Sequence, residues 1–465
     1  MGHILASSGA HAPPSAGVTW LFAGLLALTV LALALEEKIH AKKSVITGVS
    51  AIVCLLLGAV MGVLPFGPVV NVFHESLTLP VFIPAIDWEV IAIIFGASLF
   101  VDVTAKSGLF SFIAIKLTKQ SGGDPRKLLM FYGVMTVVFS AVLNNVTAML
   151  IVGSLSAVSL DKIERSDKLL GFLLIEGLLT NVGGLLTLIS SVPNIIIGNA
   201  AGIGFVRFFL VSAPFVAVAT TITLLLGARL FQIPSLTTAE EQTAAKHQVE
   251  GFDEGDAIES RGFFAFAALM FALFIVGLAT ASLIPFVRDL GMAYVALAFA
   301  TVMVVRYKSS VDRLYKALDW DLLLFFASLF IVINVMEHAL VLQAIGGALR
   351  GVIGLGPKTG AGALLAASAA ASSVTDNIPL AAVLGKILSG MPEELATEGM
   401  WWSVVFGANL GGNLTPIGSA STVVAVTVMH KHGISIGFGR FVRLAVPFAI
   451  AQIILAVIYV VLFVG

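Results

Sequence analysis

Four clusters of polar residues interrupt otherwise apolar stretches of this sequence. Two clusters centre on an Asn-Asn or Asp-Asn pair, at 144–147 and 375–379, and two mix hydroxyl groups with proline or glycine, at 187–194 and 415–422. Amides, hydroxyls and backbone carbonyls freed by broken helices can hold Na⁺ or a hydroxylated solute. We therefore predict a binding site for a small solute or ion. Its candidate residues are Asn144, Asn145, Thr147, Thr187, Ser190, Ser191, Asn194, Thr375, Asp376, Asn377, Thr415, Ser419 and Ser421.

Two carboxyl groups in apolar stretches are candidates for coupling transport to protons. A charge at mid-bilayer costs at least about 2.5 kcal/mol, so each group must be protonated, paired or in contact with water. Asp376 stands where the matching cluster has Asn144, which cannot titrate. Glu176 lies shortly before Asn181, and for it a structural and a proton-carrying role are equally open. The alternative for the hydroxyls and amides is that they only join packed membrane helices.

The composition places these clusters in a membrane protein. Of 465 residues, 58% are hydrophobic and 11% are charged, against about 25% charged in a soluble domain. The formal net charge of -1 excludes a nucleic-acid-binding protein. A single cysteine, Cys54, excludes disulfides and thiolate metal clusters within the chain. No Ser/His pair or HExxH motif occurs in the apolar stretches, so we predict no catalytic residues, no metal, no cofactor and no enzymatic activity.

A helix needs about 20 mostly apolar residues to cross a bilayer. The predicted crossings are 17–35, 44–64, 88–106, 169–199, 206–232, 262–284, 291–306, 319–341, 400–429 and 444–464. Two further apolar stretches, 126–157 and 360–390, have polar residues at their centres. We predict that each forms a re-entrant hairpin around a polar tip. The predicted fold is an all-α polytopic membrane protein of about ten transmembrane helices plus these two hairpins.

The two halves of the chain share several motifs in the same order. Asp87-Trp88-Glu89 matches Asp319-Trp320-Asp321 at an offset of 232 residues, and Asn181-Val-Gly-Gly matches Asn409-Leu-Gly-Gly at an offset of 228. Each half has five predicted crossings and one hairpin. Because five is odd, the second half enters the membrane from the opposite side. Inverted repeats with broken helices are typical of secondary transporters. The predicted organisation is a first repeat at 1–232, a cytoplasmic linker at 233–261 and a second, inverted repeat at 262–465.

The positive charges predict the orientation of this map. Most of the 26 Lys and Arg residues, including Lys308 and Arg313, fall on one side of it, and that side is the cytoplasm by the positive-inside rule. The first hairpin then opens to the cytoplasm, the second opens to the outside, and both termini lie outside. We predict a multi-pass protein of the cell (inner) membrane, whose partners are the lipid bilayer, a small inorganic solute, and protons or sodium ions.

The hairpin-tip and broken-helix motifs resemble those of the ArsB/NhaD branch of the ion transporter superfamily. The motifs are SAVLNNVTAML, NVGGLLTLISSVPNIII, ASSVTDNIPLAAV and NLGGNLTPIGSASTVV. That superfamily also includes the melanosomal P protein and the divalent anion/sodium symporters. The resemblance covers nearly the whole chain. It implies a transport domain of hairpins and broken helices that moves as an elevator against a scaffold. It also implies a homodimer and, by family analogy, a cytoplasmic ATPase partner.

The function favoured by these observations is proton-coupled efflux of arsenite or antimonite. Arsenite at neutral pH is mostly an uncharged trihydroxide, and the clusters supply hydroxyl and amide partners for it. The close alternative is a sodium/proton antiporter of the NhaD type, with Asp376 as the competing carboxylate. An anion symporter is less favoured, because the tips lack the Ser-Asn-Thr triplet of the dicarboxylate symporters. An ion channel is also less favoured, because the inverted repeat is typical of transporters.

Overall fold

The structure, a computed structural model, describes residues 13–464 except 72, 259, 308–311, 313, 314 and 317. The orientation prediction partly concerns the two chain termini and partly depends on Lys308 and Arg313. All of these lie outside the described residues. The first half contains helices α1 Ala16–Ala34, α2 Glu36–Ile39, α3 Lys43–Val60, α4 Trp88–Lys106, α5 Leu109–Ser121, α6 Pro125–Ser140, α7 Asn145–Lys162, α8 Leu169–Gly183, α9 Val192–Ala201 and α10 Phe205–Leu230. The remainder contains α11 Ala239–Glu250, α12 Arg261–Thr280, α13 Pro285–Arg306, α14 Trp320–His338, α15 Val341–Ile353, α16 Pro357–Ser372, α17 Asn377–Ser389, α18 Glu398–Gly411, α19 Ala420–Lys431 and α20 Phe438–Tyr459.

Among the described residues, eight helices are long and apolar enough to cross a membrane. They are α1, α3, α4, α10, α12, α13, α14 and α20, the last extended through Val464. Each coincides with one predicted crossing, which confirms a multi-pass helical membrane protein. The other two predicted crossings are interrupted. In 169–199 the chain leaves the helix after Gly183 and re-enters it at Val192, and in 400–429 the interruption runs from Gly411 to Ala420.

The expectation of an all-α protein needs one small correction. Two-residue strands, β1 Val69–Val70 and β2 Ser76–Leu77, pair antiparallel in the loop between α3 and α4. Strands of two residues are too short to show the alternating hydrophobic pattern by which a strand is predicted. The pair lies in an exposed loop and does not change the helical architecture.

The stretches 126–157 and 360–390 each contain two packed helices joined by a four-residue tip, which occupies 141–144 or 373–376. The last tip residue caps the helix that follows. Asn144 Oδ1 accepts a hydrogen bond from the Thr147 backbone N–H at 2.8 Å, and Asp376 Oδ1 accepts one from that of Ile378 at 3.1 Å. Asn and Asp are preferred caps because their side chains satisfy amide groups that lack a helical partner. The Asn-Asn and Asp-Asn pairs therefore mark where the second arm of each hairpin begins.

Two bodies of helices surround these tips. We call α1, α3, α4, α12, α13 and α14 the frame, and α6–α9 with α16–α19 the hairpin unit; α10 and α20 flank the hairpin unit. In the frame, α3 packs on α14 and α4 packs on α13, so each half of the chain packs one helix against the other half. Gly96 allows the second contact, because a Cβ there would lie 2.7 Å from the carbonyl carbon of Ala296.

The linker between the halves is fastened to the base of the first hairpin. Asp124 Oδ2 accepts hydrogen bonds from Ser235 Oγ at 2.6 Å and from the Leu236 backbone N–H at 2.9 Å. Its other oxygen caps α6 through the N–H groups of Arg126 and Lys127. Further along the linker, Glu254 forms an ion pair with Lys119 of α5 at 2.6 Å. One buried carboxylate therefore both starts α6 and holds the linker.

We expect Asp124→Ala to lower the free energy of unfolding by about 1–3 kcal/mol, because it removes a helix cap and leaves linker donors unpaired. Asp256→Ala, which removes an exposed carboxylate from the same linker, is the matched control. Thermal unfolding in detergent measures both variants. Equal midpoints for the two would contradict the anchoring role.

The same carboxylate predicts a pH dependence of stability. Burial raises the pKa of Asp124, but hydrogen bonds from Ser235 and three backbone N–H groups outweigh burial and hold that pKa below its ordinary value. The contribution of the Asp124 carboxylate to the free energy of unfolding is therefore complete above the pKa of about 3.9 in the unfolded chain. It is lost as the pH falls through the lower pKa of the folded protein. Asp124→Ala should lose less stability than the parent protein between pH 5 and pH 3.

Candidate binding site at the hairpin tips

The first helix interruption is stabilised by its own side chains. Ser190 Oγ donates to the carbonyls of Gly184 at 2.5 Å and Thr187 at 2.7 Å. Asn194 Nδ2 donates to the same two carbonyls at 2.6 Å and 3.0 Å. All four residues are buried. Two carbonyls in this interruption, those of Gly184 and Thr187, therefore have partners within the protein, which Ser190 and Asn194 provide.

Each hairpin is joined to the broken helix of its own half by two hydrogen bonds at matching positions. In the first half, Ser140 Oγ donates to the Thr180 carbonyl at 2.6 Å, and Thr187 Oγ1 donates to the Ala141 carbonyl. In the second half the equivalent bonds run from Ser372 to the Ala408 carbonyl and from Thr415 to the Ser373 carbonyl, both at 2.6 Å. Thr187 and Thr415, both predicted as binding residues, thus fasten a tip to its broken helix.

The two broken helices also bind each other through matching asparagine residues. Asn181 Nδ2 donates to Ser419 Oγ at 2.8 Å, and Ser191 Oγ donates to Asn409 Oδ1 at 2.8 Å. Ser421 adds a bond to Asn181 at 3.1 Å. These side chains are buried. The predicted residues Ser191, Ser419 and Ser421 therefore lie together at the centre of the hairpin unit, where they bond across the two halves.

Sequence reasoning missed the amides at the centre of this network. Asn181 and Asn409 open the repeated Asn-X-Gly-Gly motif, whose recurrence in both halves was the available signal. Asn413 accepts from Asn181 at 2.8 Å and donates to Gln452 Oε1 at 2.8 Å. Gln452 in turn donates to Thr223 at 2.9 Å, which extends the network to α20 and α10. Asn413 and Gln452 have no counterpart in a matching motif.

The two tip asparagines have different surroundings. Asn145 Oδ1 accepts from Ser140 at 2.7 Å, and its amide donates to Asn181 at 3.3 Å. Asn377, its counterpart, makes no side-chain hydrogen bond to any residue that the structure describes, although it is buried. Asn144 is exposed, Thr147 is half-buried, and the Thr375 hydroxyl bonds to the Ala371 carbonyl at the end of the preceding helix α16. Asn377 is therefore the tip amide that is free to bind a ligand.

Asp376 is the predicted residue with the most distinctive environment. Its Oδ2 forms an ion pair and hydrogen bond with Nζ of Lys43, the first residue of frame helix α3. Lys43 also lies 3.6 Å from Oε1 of Glu36. The side chains of Lys43 and Asp376 are 25% and 13% exposed, so water reaches the pair only in part. The frame and the hairpin unit thus meet at a charged contact.

A cavity of about 330 Å³ opens beside this pair. Its polar walls are Glu36, Lys38, Lys43 and Asp376, and apolar residues from both bodies, including Val374 and Ile417, complete it. Of the thirteen predicted binding residues, only Asp376 lines this cavity. Glu176 lies elsewhere, fully buried in the hairpin unit, where its Oε1 accepts a hydrogen bond from Ser156.

Comparison with known proteins places the chain in a family. A family model described as a citrate transporter, CitMHS, matches residues 30–407. The chain belongs to the CitMHS citrate transporter family. An uncharacterized transporter of Mycobacterium tuberculosis strain H37Rv is 29% identical over 435 residues, covering 91% of this chain and 94% of that protein. The mouse P protein is 22% identical over 502 residues, covering 91% of this chain and 60% of P protein.

Solved structures share the fold of this CitMHS family member. The YdaH transporter of Alcanivorax borkumensis matches with a TM-score of 0.60 at 15% identity, covering 91% of this chain and 98% of that one. MtrF of Neisseria gonorrhoeae matches with a TM-score of 0.55 at 13% identity, covering 98% and 96%. The predicted resemblance to transporters related to P protein is confirmed, and the narrower assignment to the ArsB/NhaD branch stays a prediction.

The contrast between the two tip asparagines predicts different effects on stability. Asn145→Ala removes two hydrogen bonds and leaves Asn181 and Ser140 with one partner fewer, so it should cost about 1–3 kcal/mol. Asn377→Ala removes no side-chain hydrogen bond and should therefore lower the free energy of unfolding by less than Asn145→Ala does. Thermal unfolding in detergent compares the two, and an equal loss would mean that Asn377 has a structural partner too.

Proposed function

We propose that this CitMHS family member is an ion-coupled secondary transporter, in which a proton or Na⁺ competes with the Lys43 ammonium for the Asp376 carboxylate. The ion pair between Lys43 and Asp376 is the observation that carries the proposal. It joins the frame to a hairpin tip and borders a cavity that is large enough for a small solute. An ion that takes the place of Lys43 would therefore release the tip.

The chemistry of the pair suits such an exchange. A carboxylate that is largely removed from water needs a positive partner, and it loses that need when it is protonated or binds a cation. Lys43 carries its charge on a flexible stem, and Glu36 lies 3.6 Å from it as a second carboxylate. When an ion occupies Asp376, Lys43 can therefore turn to Glu36 without leaving a charge unpaired.

We propose that the hairpins are re-entrant and that the hairpin unit moves as an elevator against the frame. Matching hydrogen bonds in the two halves support the two inverted repeats. Helix α17 runs from the tip to Ser389, about 20 Å. Near the far end of α17, Lys386 forms an ion pair with Glu337 of the frame at 3.1 Å. A second contact between the two bodies is the hydrogen bond from Asn199 of α9 to Asp87, the residue that caps α4, at 3.1 Å. Both residues of that ion pair are more than 40% exposed, so breaking it costs about 0–1 kcal/mol.

The environment of the site bears on the choice of solute. The hydroxyls and amides that favoured arsenite or antimonite mostly bond to one another, which weakens the case for efflux of a neutral trihydroxide. The charged cavity supports sodium/proton exchange instead, and we propose this as the first candidate. Symport of a small carboxylate is the second candidate, because the family is described as citrate transporters and two lysines line the cavity. The homodimer, the ATPase partner and the inner membrane stay predictions.

The central test is Asp376→Asn in proteoliposomes, with Na⁺, citrate and arsenite assayed separately under an imposed pH gradient. The variant makes the tip Asn-Asn and keeps its hydrogen-bonding capacity, but it loses the exchangeable charge. For citrate or arsenite, we expect solute exchange to persist and uphill, gradient-driven transport to disappear. For Na⁺, we expect exchange with protons to be lost, because both ions need the Asp376 carboxylate. Asp289→Asn, which removes an exposed carboxylate at 73% exposure, is the matched control.

The partner residue gives a second arm to this test. Lys43→Met leaves Asp376 without its cation and should lower the unfolding midpoint, whereas the double variant with Asp376→Asn should recover part of that loss. Asn377→Ala should abolish transport of whichever solute is carried, with little loss of folded protein. Uphill transport by Asp376→Asn, or a double variant no more stable than Lys43→Met, would remove Asp376 from the coupling role.

The inverted-repeat map predicts the side on which each loop lies. A cysteine at Ser76, in the loop before α4, should react with an impermeant thiol reagent from outside. One at Thr243, in the linker, should react from inside only. Cys54 is 1% exposed and should give little background. Reaction of both engineered sites from the same side would contradict the map.

A further inference from the structure

Glu176 is the most isolated carboxyl group in the hairpin unit. It lies on α8 with no exposed surface. Ser156 Oγ donates a hydrogen bond to Oε1, and Oε2 has no hydrogen-bond partner in the part of the chain that the structure describes. None of the Lys, Arg or His residues that the structure describes forms an ion pair with it. The carboxyl group therefore has one neutral donor and no counter-charge.

The neighbouring elements leave the group without a charge to balance it. Helix α6 contributes Tyr132, a neutral phenol whose hydroxyl bonds to Ser159 on α7. Helix α7 presents Ser156, and α19 packs Ala425 against Gly177, where a Cβ would lie 2.8 Å away. Among the described residues of α10, α18 and α20, no charged side chain forms a hydrogen bond or an ion pair with Glu176. An unpaired buried carboxylate is far costlier than a buried carboxylic acid, so the neutral acid is the stable form here.

A line of buried hydroxyl groups leads from this acid toward the base of the first hairpin. Tyr132 OH bonds to Ser159 Oγ at 2.7 Å and to Thr118 Oγ1. Ser156 and Ser159 are three residues apart on α7 and share one helix face. Thr118 precedes Lys119, whose side chain is 35% exposed. The hydroxyls therefore form two hydrogen-bonded segments, Thr118–Tyr132–Ser159 and Ser156–Glu176, separated by one helical turn of α7.

We propose that Glu176 is a proton-binding site served by the relay Thr118–Tyr132–Ser159–Ser156, and that it is distinct from the Asp376 site. A proton that enters the protein from water near Lys119 reaches the buried Thr118 hydroxyl first. Each hydroxyl accepts a proton from the preceding group and passes its own to the next, with one hydroxyl rotation or one water molecule between Ser159 and Ser156. The last transfer protonates the Glu176 carboxylate, and no other bond is made or broken.

The location of Glu176 gives this proton a mechanical consequence. Thr180, one helical turn further along α8, accepts the Ser140 bond that holds the first hairpin, and Asn181 bonds to Ser419 of the other broken helix. Loss of the proton would place a charge one turn from both attachments, and water would have to enter to stabilise it. Protonation therefore favours the closed, fully bonded arrangement of the hairpin unit.

Infrared difference spectroscopy of the purified full chain tests the site without any transported solute. The carbonyl stretch of a protonated carboxylic acid should be present at neutral pH, should disappear in Glu176→Gln, and should persist in Asp376→Asn. Its shift on transfer to D₂O reports the rate at which the proton exchanges. That rate should fall in Tyr132→Phe and in Ser159→Ala, and it should be unchanged in Thr220→Val, which removes a buried hydroxyl of α10 that has no partner.

These outcomes separate this proposal from the one for Asp376. A band that survives Glu176→Gln belongs to another carboxyl group and overturns the site. Exchange that is equally fast in Tyr132→Phe, Ser159→Ala and the parent overturns the relay. Because the two relay variants retain Glu176, they test the relay even if Glu176→Gln fails to fold. Failure of Asp376→Asn to uncouple transport would leave the infrared result unaffected.

Discussion

The structure depends on one requirement: peptide groups that leave a helix inside a membrane must find their partners in the protein. Two helices are interrupted in the hairpin unit, and each interruption frees carbonyl and N–H groups. Ser190 and Asn194 fill the first interruption, while Thr187 and Thr415 bind the neighbouring tips. The concentration of hydroxyl and amide side chains in an otherwise apolar chain is the direct consequence of this requirement.

The same requirement explains why most of the polar clusters do not form an open site. Asn181, Asn409 and the serines opposite them use their hydrogen bonds on one another and join the two broken helices inside the hairpin unit. Charge is instead found at its edge, where Asp376 meets Lys43. The hairpin unit therefore has neutral hydrogen bonds at its centre and a partly solvated ion pair where it meets the frame.

The sequence predicted most of the fold, because a helix that crosses a bilayer needs a long apolar run and such runs are unmistakable. It also located the two interruptions, since proline, glycine and hydroxyl residues seldom cluster inside a membrane-crossing helix that is unbroken. The binding residues were harder to predict, because a hydroxyl that binds a ligand and one that satisfies a carbonyl have the same sequence signature. The partner of Asp376 was out of reach, since Lys43 is 333 residues away and no periodicity relates the two.

In the frame, helices of the first half pack on helices of the second half, and this packing has a consequence for biosynthesis. Helix α3 ends at Val60 and packs on α14, which begins at Trp320. At about 5–20 residues per second, a ribosome needs roughly tens of seconds to make the intervening chain. During that interval α3 has its contact with α1 but lacks α14, so the face that will pack on α14 is open to lipid or to other nascent helices. Assembly of the frame must therefore wait for the second half of the chain, and the first half cannot mature as an independent folding unit.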